Sequence, residues 1–331
     1  MDPFSGKYVA VVGAGPAGLF AARELALWGV KVVLFNRDIK PGGLAEYGIY
    51  PDKVKMKTGL RCQFQKFIDM PGITYQGFVN IGEKSDLSLQ QLRDIGFQAI
   101  LVTAGAQGTK SLGLPGEELT GVYHAKDVVY HYNKLPPYSL KTFSFGQRTA
   151  IIGVGNVMMD IARYLISERK LSEVIAVARR GPAEVKFDRK ELETIGAHLD
   201  IEDFESEVAR VAPIMRALNQ NPQDALNFVK DTAPKGTCFD SPTQFRLRFL
   251  ASPVRILDQG NNCVGGLELE ENTLILTGTE TKARGLGSYT RMDVDSVIFA
   301  IGDRVDEQLG LPVHRFAFDK NPTPKFPVEG Q

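Results

Sequence analysis

Two glycine-rich turns carry most of the chemistry that can be read from this chain. Gly13-Ala14-Gly15-Pro16-Ala17-Gly18 has the spacing G-x-G-x-x-G. Its first glycine permits a tight turn, its second lets the backbone approach a pyrophosphate, and its third allows a helix to pack closely on a strand. The helix that follows offers unpaired N–H groups and a partial positive charge to the phosphates. Gly153-Val154-Gly155-Asn156-Val157 repeats the opening of that pattern, with Asn156 and Met158 where smaller residues often stand. Two such turns suit two dinucleotides held face to face, one passing a hydride to the other.

The turns differ in how they would read a ribose. The usual reader is an acid at the end of the strand after the turn. In the first module that place is Asn36, which carries no charge, with Asp38 nearby. In the second it is Arg179-Arg180-Gly181-Pro182, with no acid. Two guanidiniums suit a 2′-phosphate, which accepts bidentate charge-assisted bonds. The second site is therefore expected to take NADP rather than NAD.

Each turn needs a strand before it and a helix after it. Lys7–Val12 and Lys31–Phe35 are short, valine-rich runs of the kind buried in parallel sheets, and the amphipathic run between them closes at Gly29. Thr149–Ile152, Val157–Ser167 and Glu173–Ala178 read as a second βαβ unit. Pro41-Gly42-Gly43 opens a loop that runs to Pro51. Gln63–Asp69 reads as a helix, and Ile73–Val79, Ala99–Thr103 and Val294–Ala300 as further strands. Phe204–Asp231 is expected to be helical, with interruptions at Pro213 and Pro222; Phe245–Leu257 and Cys263–Leu276 alternate as antiparallel strands do.

Composition narrows the classes. The 331 residues suffice for two domains, and 43% hydrophobic with 24% charged residues is a globular balance. A net charge of zero gives no global field for nucleic acid or an acidic membrane. The uncharged run Tyr8–Ala22 is shorter than the ~20 residues needed to span a bilayer. The first strand begins by Lys7, which leaves no room for a leader ahead of it. Cys62, Cys238 and Cys263 form no C-x-x-C, against a redox dithiol or a cluster within the chain and in keeping with a reducing, cytoplasmic setting. His124, His131, His198 and His314 lack metal-ligand spacing and read as structural or surface residues; no metal site is expected.

Over most of its length the chain resembles the adrenodoxin reductase-type ferredoxin–NADP reductases, within the glutathione reductase-like flavoproteins. The resemblance rests on Val11–Gly18, Gly43-Leu44 with Tyr47-Gly48-Ile49 and Pro51-Asp52, Leu114–Glu118, Tyr132–Pro136, and Gly155-Asn156-Val157 with Asp160–Arg163. The most specific part is Arg179–Pro182 followed by Phe187 and Lys190-Glu191-Leu192. Phe245–Phe249 with Ser252-Pro253 also fits. The resemblance implies an α/β protein with two Rossmann-like, parallel-sheet βαβ domains. Residues 1–104 and a return segment at 296–331, truncated relative to the family, would bind FAD. Residues 105–295 would bind NADP. Gly13, Gly15, Pro16, Ala17, Gly18, Asn36, Gly43, Leu44 and the backbone of Val79 match FAD contacts. Gly153 to Val157, Arg179, Arg180 and Glu191 match NADP contacts, Glu191 as a residue that orients the nicotinamide. No catalytic side chain is required, since the hydride passes directly between cofactors. Electrons would then go singly to a ferredoxin-type iron–sulfur protein. Arg210, Arg216, Lys230 and Lys235 are candidates for its basic docking face, although Glu202, Asp203, Glu205 and Glu207 make a mixed, solvated surface the simpler reading.

Three departures stand out: Asn36 replaces the family's acid, Lys53 replaces a histidine after Pro-Asp, and the chain ends at Gln331 before the family's Gly-Trp segment. The expectation is a C-terminally incomplete chain that binds NADPH well and holds FAD weakly, and in which an acid at position 36 would tighten FAD. Two other readings fit part of the pattern: a glutamate synthase small-subunit-like electron-transfer flavoprotein, and a non-catalytic module that holds NADP without flavin.

Overall fold

Successive residues of the strand Tyr8–Val12 face opposite sides of a sheet. Val9 and Val11 pack with Leu19, Ala22, Leu34 and Phe64 on one face. Ala10 and Val12 pack with Phe35, Ile81 and Leu92 on the other. A strand buried on both faces must be apolar throughout, which is why the run shows no polar alternation. Leu34 is fully buried, and its truncation to Ala would cost ~2–5 kcal/mol.

This computed structural model describes residues 4, 6–278 and 280–319. Among them the chain forms two units. One takes the residues up to Lys110, Tyr132–Ser139 and those from Gly302; the other takes Ser111–His131 and Leu140–Ile301. The return segment expected at 296–331 is described to Asp319, and residues 320–331 lie outside the described residues.

The first unit holds a four-stranded parallel sheet in the order Ile73–Gly77, Lys31–Asn36, Tyr8–Val12, Ala99–Val102. Helix Pro16–Leu27 joins its first two strands, with Pro16 at the start, where the missing N–H costs nothing. Helix Val54–Ile68 is longer than the expected Gln63–Asp69, because its first two turns are rich in lysine and show little apolar period. Segment Tyr132–Ser139 is tied into this unit by Lys57, whose buried Nζ donates to Asn133 Oδ1 at 2.8 Å, and by the Tyr50–Tyr132 ring contact at 5.3 Å.

The second unit has a five-stranded parallel sheet in the order Val122–His124, Ser296–Phe299, Arg148–Ile152, Glu173–Val177, Gln244–Arg248. From Gln244–Arg248 back to Ser296–Phe299 it repeats the strand order of the first unit. Both units are thus Rossmann-like. A three-stranded antiparallel sheet, Ala251–Asp258, Val264–Thr277 and Glu280–Met292, is inserted before the last parallel strand.

The expected strand Phe245–Leu257 is two strands. Gln244–Arg248 pairs parallel with Glu173–Val177, whereas Ala251–Asp258 pairs antiparallel with Val264–Thr277. Leu250 turns the chain between them, with φ 49°, and is held by its N–H on Arg180 O and its carbonyl under Asn272 N–H. Alternation in one segment does not reveal that its halves belong to different sheets. Pro213 lies within the helix Ile201–Ala217 and does not end it; the break comes at Asn219, and Pro222 opens the next helix. None of the described helices is long and apolar enough to cross a membrane.

Candidate functional site

Gly13 has φ 109°, and a Cβ there would stand 2.6 Å from the carbonyl oxygen of Thr103. Its equivalent in the second unit, Gly153, has φ 124° and would place a Cβ 2.4 Å from the carbonyl oxygen of Ala300. In both turns the first glycine is required by the neighbouring strand. The second glycines behave differently. Gly15 (φ −73°) and Gly155 (φ −110°) have ordinary backbone angles, and a Cβ on either would meet no protein atom within 4 Å. Neither steric contact nor strain within the protein requires glycine there. Open space at the start of a helix without a side-chain cap is what a pyrophosphate needs.

Gly18 serves packing, since a Cβ there would lie 1.9 Å from the Gly13 carbonyl oxygen. Met158 takes the corresponding place in the second unit and is fully buried, so that helix packs without a third glycine. The Thr103 hydroxyl lies 2.8 Å from the Gly13 carbonyl and 3.1 Å from that of Val12. It locks the first turn to the far strand. By sequence Thr103 is only a strand end, and a hydroxyl residue just before Ala104-Gly105 is the one local sign of this role.

A cavity of about 430 Å³ opens over the first turn. Gly13, Gly15, Pro16, Ala17, Asn36, Gly43, Leu44 and Val79 all line it; Gly18 does not. Asn80, Asp303 and Asp306 line it as well and were not singled out from sequence. Asn36 is 7% exposed, and its side chain is heavily used. Its Oδ1 accepts from Ala14 N at 3.2 Å. Its Nδ2 donates to Asp38 O at 2.7 Å, Lys40 O at 3.1 Å and the Tyr75 hydroxyl at 3.2 Å. The amide therefore joins the glycine turn to the loop after the strand. A carboxylate could make the first of these bonds and none of those to the carbonyls, so an acid here would give up the contacts that hold the loop after the strand.

Close to this turn, Glu46 is buried and receives a bidentate pair from Arg61 at 2.6 and 2.7 Å. Burial alone would raise its pKa, but the Arg61 bonds and charge, with Lys57 and Lys40, hold it below the usual carboxylate value. The neighbouring Tyr47 hydroxyl is pushed up to about 12, first by burial and then by Asp38 and Glu46.

In the second unit Arg179 and Arg180 follow the strand Glu173–Val177. Their backbone is clamped from behind, with Asn272 Nδ2 donating to Arg179 O at 3.1 Å and Leu250 N to Arg180 O at 3.2 Å. Their side chains are left over. Among the described residues neither guanidinium has an ion pair or a hydrogen-bond partner, whereas Arg210, Arg246 and Arg248 are all paired with Glu207, Glu271, Glu173 or Asp200. The loop beyond the arginine pair returns to the glycine turn: Lys186 N donates to Val154 O at 3.0 Å, and Asp188 N to Asn156 Oδ1 at 3.3 Å. Asp188 also caps the short helix Arg189–Glu193, which carries Glu191. Gly153 to Val157 and the arginine pair thus follow the C-terminal ends of two adjacent interior strands, with Glu191 linked to the turn through Asp188 and Val157 half exposed.

The proposed docking cations fare differently. Arg210 is held by Glu207 and Glu271, and Lys230 by Glu205 at 2.6 Å. His198 is structural: Phe239 N donates to its Nε2 at 3.0 Å, so its Nδ1 carries the proton and donates to Thr243 O at 3.2 Å.

Residues 7–199 match the family described as pyridine nucleotide-disulphide oxidoreductase. The chain is 30% identical to the mitochondrial NADPH:adrenodoxin oxidoreductase of Arabidopsis thaliana, over 92% of this chain and 69% of that one. It is 29% identical to the NADPH-ferredoxin reductase FprA of Mycobacterium tuberculosis, over 92% and 72%. The solved structure of Mycobacterium tuberculosis FprA in complex with NADPH, 26% identical, matches with a TM-score of 0.77 over 93% of this chain and 73% of that one.

Proposed function

Because the chain belongs to the pyridine nucleotide-disulphide oxidoreductase family, in its adrenodoxin reductase branch, we propose that it is an NADPH-dependent flavoprotein reductase serving a ferredoxin-type iron–sulfur protein. Its cofactors are FAD and NADP. Bound FAD would take a hydride from NADPH and release the electrons one at a time.

The residues present fit both groups. Gly15 and Gly155 leave room that no side chain of the protein fills. Gly13, Gly15, Pro16 and Ala17 would hold the FAD pyrophosphate at the start of helix Pro16–Leu27. Gly43, Leu44 and Val79 would wall the same cavity, with Asn36 and Gly18 keeping the turn in shape. Gly153 to Val157 would hold the NADP pyrophosphate, Arg179 and Arg180 its 2′-phosphate, and Glu191 the nicotinamide end. No side chain is asked to act as nucleophile.

The single observation behind the coenzyme choice is the pair of unpartnered guanidiniums next to a glycine turn with open space. An arginine pair kept only for the fold would be expected to find carboxylates, as Arg210 and Arg248 do. The reading is supported further by free Cys62, Cys238 and Cys263, in keeping with a cytoplasmic setting. The test is direct. With FAD supplied in excess, the protein should show bound-flavin absorbance that bleaches with NADPH far faster than with NADH, and should then reduce a ferredoxin. A protein that binds NADPH but takes up no FAD even in excess would overturn the flavoenzyme reading in favour of a flavin-free module.

A further inference from the structure

The peptide group that follows Arg180 is held at both of its polar atoms. Its carbonyl accepts from Leu250 N–H at 3.2 Å. Its N–H, that of Gly181, donates to Glu184 Oε2 at 3.0 Å. Glu184 N–H returns a bond to the Gly181 carbonyl at 3.1 Å, so the turn Gly181–Glu184 is closed twice, with Pro182 fixing a backbone angle inside it. The peptide group before Arg180 is held as well, because Asn272 Nδ2 donates to Arg179 O at 3.1 Å. Peptide groups are planar, so holding the plane on each side of Arg180 sets its two backbone angles. Those angles set the direction in which the side chain leaves the backbone.

The Glu184 carboxylate is itself held from two distant segments. Its Oε1 accepts from Gln220 Nε2 at 2.6 Å and from the Thr281 hydroxyl at 3.1 Å. Gln220 lies between the helices Ile201–Ala217 and Pro222–Thr232, and Thr281 lies on the strand Glu280–Met292 of the inserted antiparallel sheet. All three partners of the carboxylate are donors, which suits a group that only accepts. Among the described residues Glu184 forms no ion pair with Arg179 or Arg180, although it stands only a few residues beyond them. Its lone pairs are engaged by backbone, amide and hydroxyl, and the two guanidiniums stay open.

We propose that Glu184 is a positioning residue for coenzyme choice: it holds the Arg180–Gly181 peptide group so that Arg180 meets the 2′-phosphate of NADP. The proposal rests on the NADP reading above. Glu184 touches no coenzyme atom and acts through Arg180. The inserted sheet then has a task in selectivity, since Asn272 and Thr281 both back the arginine loop from it.

Titration of the full-length protein, FAD supplied, with NADPH and with NADH reads the effect. Glu184→Ala should weaken NADPH binding about tenfold and NADH binding by less than about twofold. Glu184→Gln should stay within about twofold of the unaltered protein for both, because its Oε1 can take the Gly181 N–H and its Nε2 can donate to a turned Gln220 amide. In an Arg180→Ala background, Glu184→Ala should cost less than about twofold more, as expected of a residue that acts through Arg180. Should Glu184→Ala fail to fold, Gln220→Met with Thr281→Val releases the carboxylate from its two distant donors, and should weaken NADPH alone by at least about threefold. Equal losses for the two coenzymes, a loss in Glu184→Gln as large as in Glu184→Ala, or an undiminished loss without Arg180 would each overturn the proposal. If the unaltered protein prefers NADPH and Glu184→Ala prefers it as strongly, Glu184 does not position Arg180 and the NADP reading stands. If the unaltered protein binds both coenzymes alike, that reading falls and this proposal falls with it.

Discussion

The backbone N–H of Lys186 donates to the carbonyl of Val154 at 3.0 Å. Through this bond the loop that follows Arg179 and Arg180 is stitched to the second glycine turn. The backbone that carries Arg179 and Arg180 is therefore held at a fixed place relative to Gly155, further secured by Leu250 N–H on Arg180 O and Asn272 Nδ2 on Arg179 O. Anchored roots bring both unpartnered guanidiniums within reach of the same phosphate.

Replacing both arginines by Ala should weaken NADPH binding roughly a hundredfold, since each charge-assisted bond is worth about 1.5–3 kcal/mol before solvent screening. NADH binding should be almost unchanged. Dissociation constants from fluorescence titration of both coenzymes decide the matter, and equal losses would show that the pair does not read the 2′-phosphate.

The glycines offer a sharper separation of binding from folding. Gly15→Ala and Gly155→Ala place a methyl where no protein atom lies within 4 Å, at ordinary backbone angles. Each should leave stability unchanged or raise it by up to ~1 kcal/mol. Gly15→Ala should nevertheless lose FAD on gel filtration, and Gly155→Ala should bind NADPH at least about tenfold more weakly. Gly13→Ala, at φ 109° and facing Thr103 O, should instead lower the unfolding midpoint. Full cofactor retention in the first two variants would place the pyrophosphates elsewhere.

Asn36→Asp tests the strand end. The variant keeps an acceptor for Ala14 N–H but sets a carboxylate against the carbonyls of Asp38 and Lys40. The expected cost is about 1–3 kcal/mol, read as a lower urea midpoint, with FAD released faster than from the unaltered protein. Slower release would mean that the acid finds the ribose and that the loop contacts are dispensable.

Acid stability should centre on Glu207. Burial would raise its pKa, but bonds from Arg210 and Phe249 N–H, with the charges of Arg210 and Arg248, hold it below its ordinary 4.5. A depressed folded value means that its contribution is complete above about pH 4.5 and is lost as pH falls through the lower folded value. Glu207→Gln should flatten that part of the stability–pH curve. At neutral pH it should cost about 1–3 kcal/mol, because Arg210 and Arg248 lose one carboxylate between them but keep Glu271. An unaltered urea midpoint between pH 3 and 5, about the window where such carboxylates titrate, would contradict this.

By itself the sequence determined the two glycine turns, the buried parallel strands around them and the arginine pair. These are local patterns, in which spacing along one short segment already states the geometry. Only the tertiary structure decided what Asn36 does, because its partners come from Ala14, the loop to Lys40 and Tyr75 on the neighbouring strand. The same holds for Gln244–Arg248, whose alternation looks antiparallel until it is seen beside Glu173–Val177. It holds too for Arg210, a candidate docking cation on a mixed charged face in sequence, which Glu271 from a distant strand occupies in the fold. In each case at least one deciding contact joins segments far apart in the chain. The period of a single segment records which of its faces is buried, but not which distant residue that face will meet.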